Sequence, residues 1–195
     1  MKTDRRLQGV LIITLMVSAG SLVALIYLNT STGPSITVVG RSGNEMTFTL
    51  SEMLSFTNAI VERMGGFENR YNNTSGVGIY RGIRISELID RVGRPDINDK
   101  ILVVGSEGYN QTFTYLNVYP NSTIASHQGE MVLAFSFNGT IVPGYEDGYR
   151  VMFLPEDGLY ENIDAKLTTP QQYYVGSAGA RCVRDVVQIM VLPPS

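Results

Sequence analysis

The chain has 195 residues, 44% of them hydrophobic, a net charge of −3, one cysteine and one histidine. That length leaves room for one domain of ordinary size beside an anchor. The solitary Cys182 and His127 exclude an intramolecular disulfide and a zinc site of the Cys/His type, and the acidic balance offers no electrostatic footprint for nucleic acid.

The first residues differ from the rest. Met1–Arg6 carries Lys2, Arg5 and Arg6 against Asp4, and residues 7–28 hold no charge. As a helix that stretch would be roughly 33 Å long, enough to cross a hydrocarbon core of about 30 Å. The basic flank stays on the cytoplasmic side, so residues 1–6 are read as a cytoplasmic flank and 7–28 as a single transmembrane anchor in the cell membrane. A cleaved signal peptide is the alternative; its apolar region usually covers only about 7–15 residues. Residues 29–34 form a polar linker, and residues 35–195 form a domain outside the cytoplasm.

Six asparagines begin Asn-x-Ser/Thr: Asn29, Asn72, Asn73, Asn110, Asn121 and Asn138. Composition alone would give about two such sites, so the excess agrees with a surface-exposed glycoprotein, and equally with a habit of Thr-rich strands and turns.

In chain order, Ser35–Gly40 and Thr47–Leu50 read as strands about a turn at Ser42-Gly43-Asn44. Ser51 is placed to cap a helix over Glu52–Met64, with Met53, Leu54, Ala59, Ile60 and Met64 on its apolar face and Gly65-Gly66 ending it. Phe67–Gly78 reads as a loop. Ser86 caps a short helix, Glu87–Val92, stopped by Gly93 and Pro95. Ile101–Val104 and Thr112–Val118 read as strands, and Met131–Phe137 with Thr140–Val142 flank Asn138-Gly139, a strong hairpin signal. His127 falls in a polar loop. Tyr149–Leu154 and Val186–Leu192 are the last strands, with Pro155–Ser177 between them as a polar surface insertion. The fold class is α+β with a mostly antiparallel or mixed sheet and short helices.

Residue chemistry alone leaves few options. The acid pairs Glu146-Asp147 and Glu156-Asp157 flank turns and read as solvated charge; Cys182 reads as a small buried core residue. No phosphate-loop or dinucleotide fingerprint is present.

Four segments in order carry a resemblance: GIYRGIRISELI from Gly78, VGSEGY from Val104, MVLAFSFNGTIVPGYEDGYRVMFLP from Met131 and GARCVRDVVQI from Gly179. Together they resemble the molybdopterin-binding domain of the sulfite oxidase family. The resemblance implies that fold, and implies Arg81, Arg150, Arg181 and Arg184 as cofactor contacts, with Tyr109 beside the pocket. Guanidinium groups suit a phosphate-bearing pterin. The chain departs from the family where its cysteine ligand to molybdenum belongs: Met64 stands about there, and no metal ligand is identified. The family's pocket histidines also lack a counterpart.

Three functions follow as expectations. The chain is a non-catalytic or cofactor-binding accessory module serving a membrane-associated redox or cell-surface complex; or a molybdopterin-dependent oxidoreductase subunit acting on a small oxyanion; or a structural cell-surface protein using the fold as a scaffold. Convergence of the four arginines separates the first from the last.

Overall fold

The computed structural model describes residues 33–194; the expected anchor at 7–28 and Asn29 lie outside them. Among the described residues no helix is long and apolar enough to cross a membrane.

Two five-stranded sheets build the domain. In the first, β1 (Ser35–Val39) and β2 (Glu45–Thr49) form the expected antiparallel pair. The final strand, β10 (Val186–Leu192), lies parallel to β1, and β5 (Lys100–Gly105) and β6 (Asn110–Thr114) complete the order β2-β1-β10-β5-β6. Alternation decides which residues enter the core: Ile36 and Val38, Ile101 and Val103, and Ile189 and Val191 are buried. The second sheet runs β3 (Ile60–Glu68), β4 (Thr74–Arg84), β7 (Glu130–Phe137), β8 (Thr140–Ile141), and β9 (Arg150–Leu154) also pairs with β7. Asn138 and Gly139 take φ of 47° and 82°, the left-handed pair that a two-residue hairpin turn requires.

Two short helices frame the sheets. The first, α1 (Leu50–Ser55), follows β2. The second, α2 (Ile85–Val92), buries Ile85, Leu88, Ile89 and Val92 and touches β1 of one sheet and β4 and β7 of the other. It starts at Ile85, without a side-chain cap from Ser86. The architecture is mixed α+β, mostly antiparallel sheet with short helices, as expected.

Several local expectations are corrected. The helix over Glu52–Met64 does not form: α1 stops at Ser55, and Thr49, not Ser51, caps it through a reciprocal pair with Glu52. From Ile60 the chain is strand, because β4 offers it a full ladder. Gly65, expected to end a helix, lies inside β3; a Cβ there would stand 2.6 Å from Leu154 Cδ2 and 3.0 Å from the Tyr80 ring, so only glycine lets this strand press onto the core. The loop over Phe67–Gly78 contracts to the turn at residues 69–73. The strand expected to reach Val118 ends at Thr114, where Asn117 bonds back to Thr114 and starts α3 (Tyr115–Val118). His127 sits in the last turn of α4 (Ser122–Gln128), its Nδ1 3.0 Å from Asp164 Oδ1, and not in a loop.

Pro155–Ser177 is also more than a surface insertion. It holds α5 (Asn162–Leu167) and buries Tyr160 and Ala165 completely. Asn162 fastens it down: its Nδ2 donates to Asn69 O at 2.9 Å, and its Oδ1 accepts from Ala178 N at 2.7 Å.

Candidate functional site

A pocket of about 420 Å³ opens where three segments meet: the β5–β6 turn (Gly105–Tyr109), the start of β9 at Arg150, and residues 179–185, which include the end of α6 (Ala178–Arg181). Backbone bonds fix the segments against each other. Ser106 N donates to Asp185 O at 2.8 Å, Asp185 N to Asp147 O at 2.8 Å, and Val151 N to Val183 O at 2.8 Å. Close approach demands a missing side chain at Gly105, where a Cβ would stand 2.7 Å from Arg184 O.

Arg150 is the most constrained charge. Its guanidinium lies over the Phe67 ring at 4.5 Å, its Nη1 donates to Asp147 Oδ2 at 2.5 Å, and its buried Nε has no partner among the described residues. Burial disfavours the charge, yet Cys182, Asp147, Tyr145 and Tyr80 around it hold its pKa above the ordinary arginine value. Arg184 is 64% exposed at the rim, with Nη1 4.0 Å from Asp147 Oδ1. Asp147 thus stands between two arginines of one pocket.

Tyr109 lines the opposite wall. Its hydroxyl donates to Ala180 O at 2.7 Å and accepts from Gln111 Nε2 at 2.8 Å, and burial raises its pKa. Cys182 lines the floor; burial pushes its thiol up to about 11, against the pull of Arg150 and Arg181, so at neutral pH it is a thiol and not a thiolate.

Of the five residues implied by the resemblance, Tyr109, Arg150 and Arg184 come together in this pocket. Arg181 lies beneath it. It is fully buried, stacked over Phe113 at 4.5 Å, with Nη2 3.3 Å from Asn117 Oδ1 and with Nε and Nη1 unpartnered among the described residues. Burial lowers its pKa, and no carboxylate pairs with it. Arg81 lies elsewhere, on β4, 3.6 Å from Glu62 of β3.

Sequence reasoning missed Cys182 as a pocket residue and Asp147 as the carboxylate beside the pocket's two arginines. Asp147, read as solvated turn charge, has its carboxylate engaged by Arg150 and by Tyr145 Oη at 3.3 Å. The spacing Asp147-x-x-Arg150 was the available signal.

For a phosphate-bearing pterin, the polar end finds suitable charge in the guanidinium groups of Arg150 and the exposed Arg184, which line the pocket. The metal end is less well served: Met64, at the position the resemblance points to, is half exposed on β3, paired with Ile79 and outside the pocket lining. The described residues contain no cluster of three or more His, Cys, Asp or Glu side chains placed to hold a metal.

No family model matches the chain, and no curated protein matches it. The chain is similar to the sulfane dehydrogenase SoxCD from Paracoccus pantotrophus, with a TM-score of 0.56 and 13% identity over 82% of this chain and 38% of that one. The likeness shows the fold, and this chain spans well under half the length of that neighbour.

Proposed function

We propose that this chain is an accessory binding module of a molybdopterin-type fold, tethered outside the cytoplasm by its N-terminal apolar segment, and that its pocket takes a phosphate-bearing organic ligand such as the pterin. The observation that carries this is Arg150: a mostly buried guanidinium that lines one pocket together with the exposed Arg184. Guanidinium groups suit an anionic oxygen, and two of them share this pocket. The fold likeness and the four collinear segments agree with this ligand class.

The module is read as non-catalytic by itself, serving a membrane-associated redox or cell-surface complex. Met64 lies outside the pocket lining and supplies no ligand at the position the resemblance points to, so no chemical step is assigned to this chain. The oxidoreductase reading requires metal.

The test is elemental and fluorescence analysis of the full chain, purified from a host that makes molybdopterin. Oxidised-pterin fluorescence in stoichiometric amount without molybdenum is the expected result. Stoichiometric molybdenum as well would replace the accessory module with the enzyme. Neither, even after incubation with isolated cofactor, would leave a scaffold and remove the binding function.

A further inference from the structure

The pattern Asn-x-Ser/Thr occurs six times, and five of these sites fall on described residues. All five asparagines are exposed: Asn72 and Asn73 in the β3–β4 turn, Asn110 at the start of β6, Asn121 capping α4 and Asn138 in the β7–β8 turn. Every described asparagine that is buried or half-buried (Asn69, Asn117 and Asn162) lacks a hydroxyl residue two positions on. The exposed Asn44, Asn58 and Asn98 lack it as well, so the pattern occurs on the surface alone but not at every surface asparagine among the described residues.

Turn and cap chemistry accounts for the asparagines but not for the hydroxyls that follow. Asn138 takes a positive φ and accepts from Ile79 N at 2.8 Å; Asn121 accepts from Ile124 N at 2.9 Å. Thr140 and Thr123, two residues on, are exposed, and their hydroxyls make no hydrogen bond among the described residues. Thr123 lies in a helix, where strand preference gives no reason for threonine.

The same bonds make these two sites good acceptors. In each, Oδ1 is held by a backbone N–H, which fixes the amide with Nδ2 free toward solvent. Asn110 differs, since its Nδ2 donates to Gly108 O at 3.1 Å, and Asn72 differs in that a side-chain amide, Asn162 Nδ2 at 2.7 Å, and not a backbone N–H, holds its Oδ1.

We propose that Asn121 and Asn138 carry N-linked glycans. The proposal rests on the placement of this domain outside the cytoplasm. A lipid-phosphate-linked oligosaccharide is the donor: the bond from Asn Nδ2 to the sugar's anomeric carbon forms as the bond from that carbon to the lipid phosphate breaks. The lipid phosphate leaves, and the amide proton passes to a base of the transferase. Neither site lines the arginine pocket, so modification leaves it open.

The full chain, isolated from its native membranes, provides the test by glycopeptide mass spectrometry. The expected result is sugar mass on the peptides containing Asn121 and Asn138, with one increment lost in Thr123→Ala and the other in Thr140→Ala. Both variants change exposed threonines, so folding is not at issue. In parallel, protease is added to intact cells. Unmodified Asn121 and Asn138 in a chain that external protease digests would overturn glycosylation and leave export standing. Unmodified sites in a chain that protease cannot reach would overturn both. Sugar that persists in Thr123→Ala and Thr140→Ala would also defeat the proposal, since attachment would not follow the sequence pattern.

Discussion

Asp147 already supplies a negative charge to the two arginines that line the pocket. It bonds Arg150 at 2.5 Å and lies 4.0 Å from Arg184, so an entering phosphate must compete with it. Asp147→Asn removes the internal anion while keeping a hydrogen-bond acceptor. Affinity for inorganic phosphate, read by titration calorimetry on the full chain, should rise about tenfold, equivalent to about 1.4 kcal/mol. Equal affinities in the two proteins would mean that Asp147 does not share the ligand's place. Cys182 gives a second expectation at this scale. Its thiol ionises near 9.0 when unperturbed and near 11 in the folded chain, where burial dominates. Between those values the unfolded chain loses a proton that the folded chain keeps, so stability present below pH 9 declines as pH rises toward 11. Denaturant midpoints should fall across that window, and Cys182→Ala should flatten the fall. Tyr80 and Tyr160, both raised to about 12 by burial, contribute a later decline that the substitution leaves intact.

Elements differ in how openly the sequence declares them. Asn138-Gly139 was legible because two consecutive left-handed residues have few chemical solutions, and the helix from Ile85 because Gly93, at φ 111°, stops it. Residues 60–68 were not legible. IVERMGGFE has apolar residues at spacings that suit a helix face, and only pairing with β4 makes it a strand. Gly65→Ala examines this element directly: its Cβ meets Leu154 and Tyr80, and overpacking of this kind costs roughly 1–3 kcal/mol. A denaturant midpoint unchanged in Gly65→Ala would contradict the packing of β3. The site shows the same division. The β5–β6 turn, Arg150 and the segment from Gly179 carry recognisable local patterns, and three of the four residues they offered share a pocket. Arg81 does not, because strand parity sends Tyr80 inward and Arg81 outward, and the face a strand residue takes depends on partners far along the chain. Asp147 reaches the pocket through the same long-range pairing, as Asp185 N bonds to its carbonyl across a wide sequence gap.

At the scale of the molecule, both arginine-bearing walls of the pocket depend on how the chain closes. Val151 N bonds to Val183 O and Val186 N to Tyr149 O, so the pocket takes shape only when the segment leading into β10 has docked. That strand fits between β1 and β5, in parallel register with β1 from Thr37↔Gln188 to Val39↔Met190. The first strand must therefore wait for the last. At about 5–20 residues per second of synthesis, the roughly 150 residues between them take about 8–30 seconds to emerge, during which the inner edge of β1 has no neighbour. Contacts this distant in sequence also slow folding after release, since the long loop must close before its pairing contributes. The hairpins at either side of the gap can assemble early, but their shared sheet stays split until the C-terminal residues arrive. The terminal strand thus acts as a completion signal: a chain truncated before Val186 would have neither a continuous first sheet nor an assembled pocket.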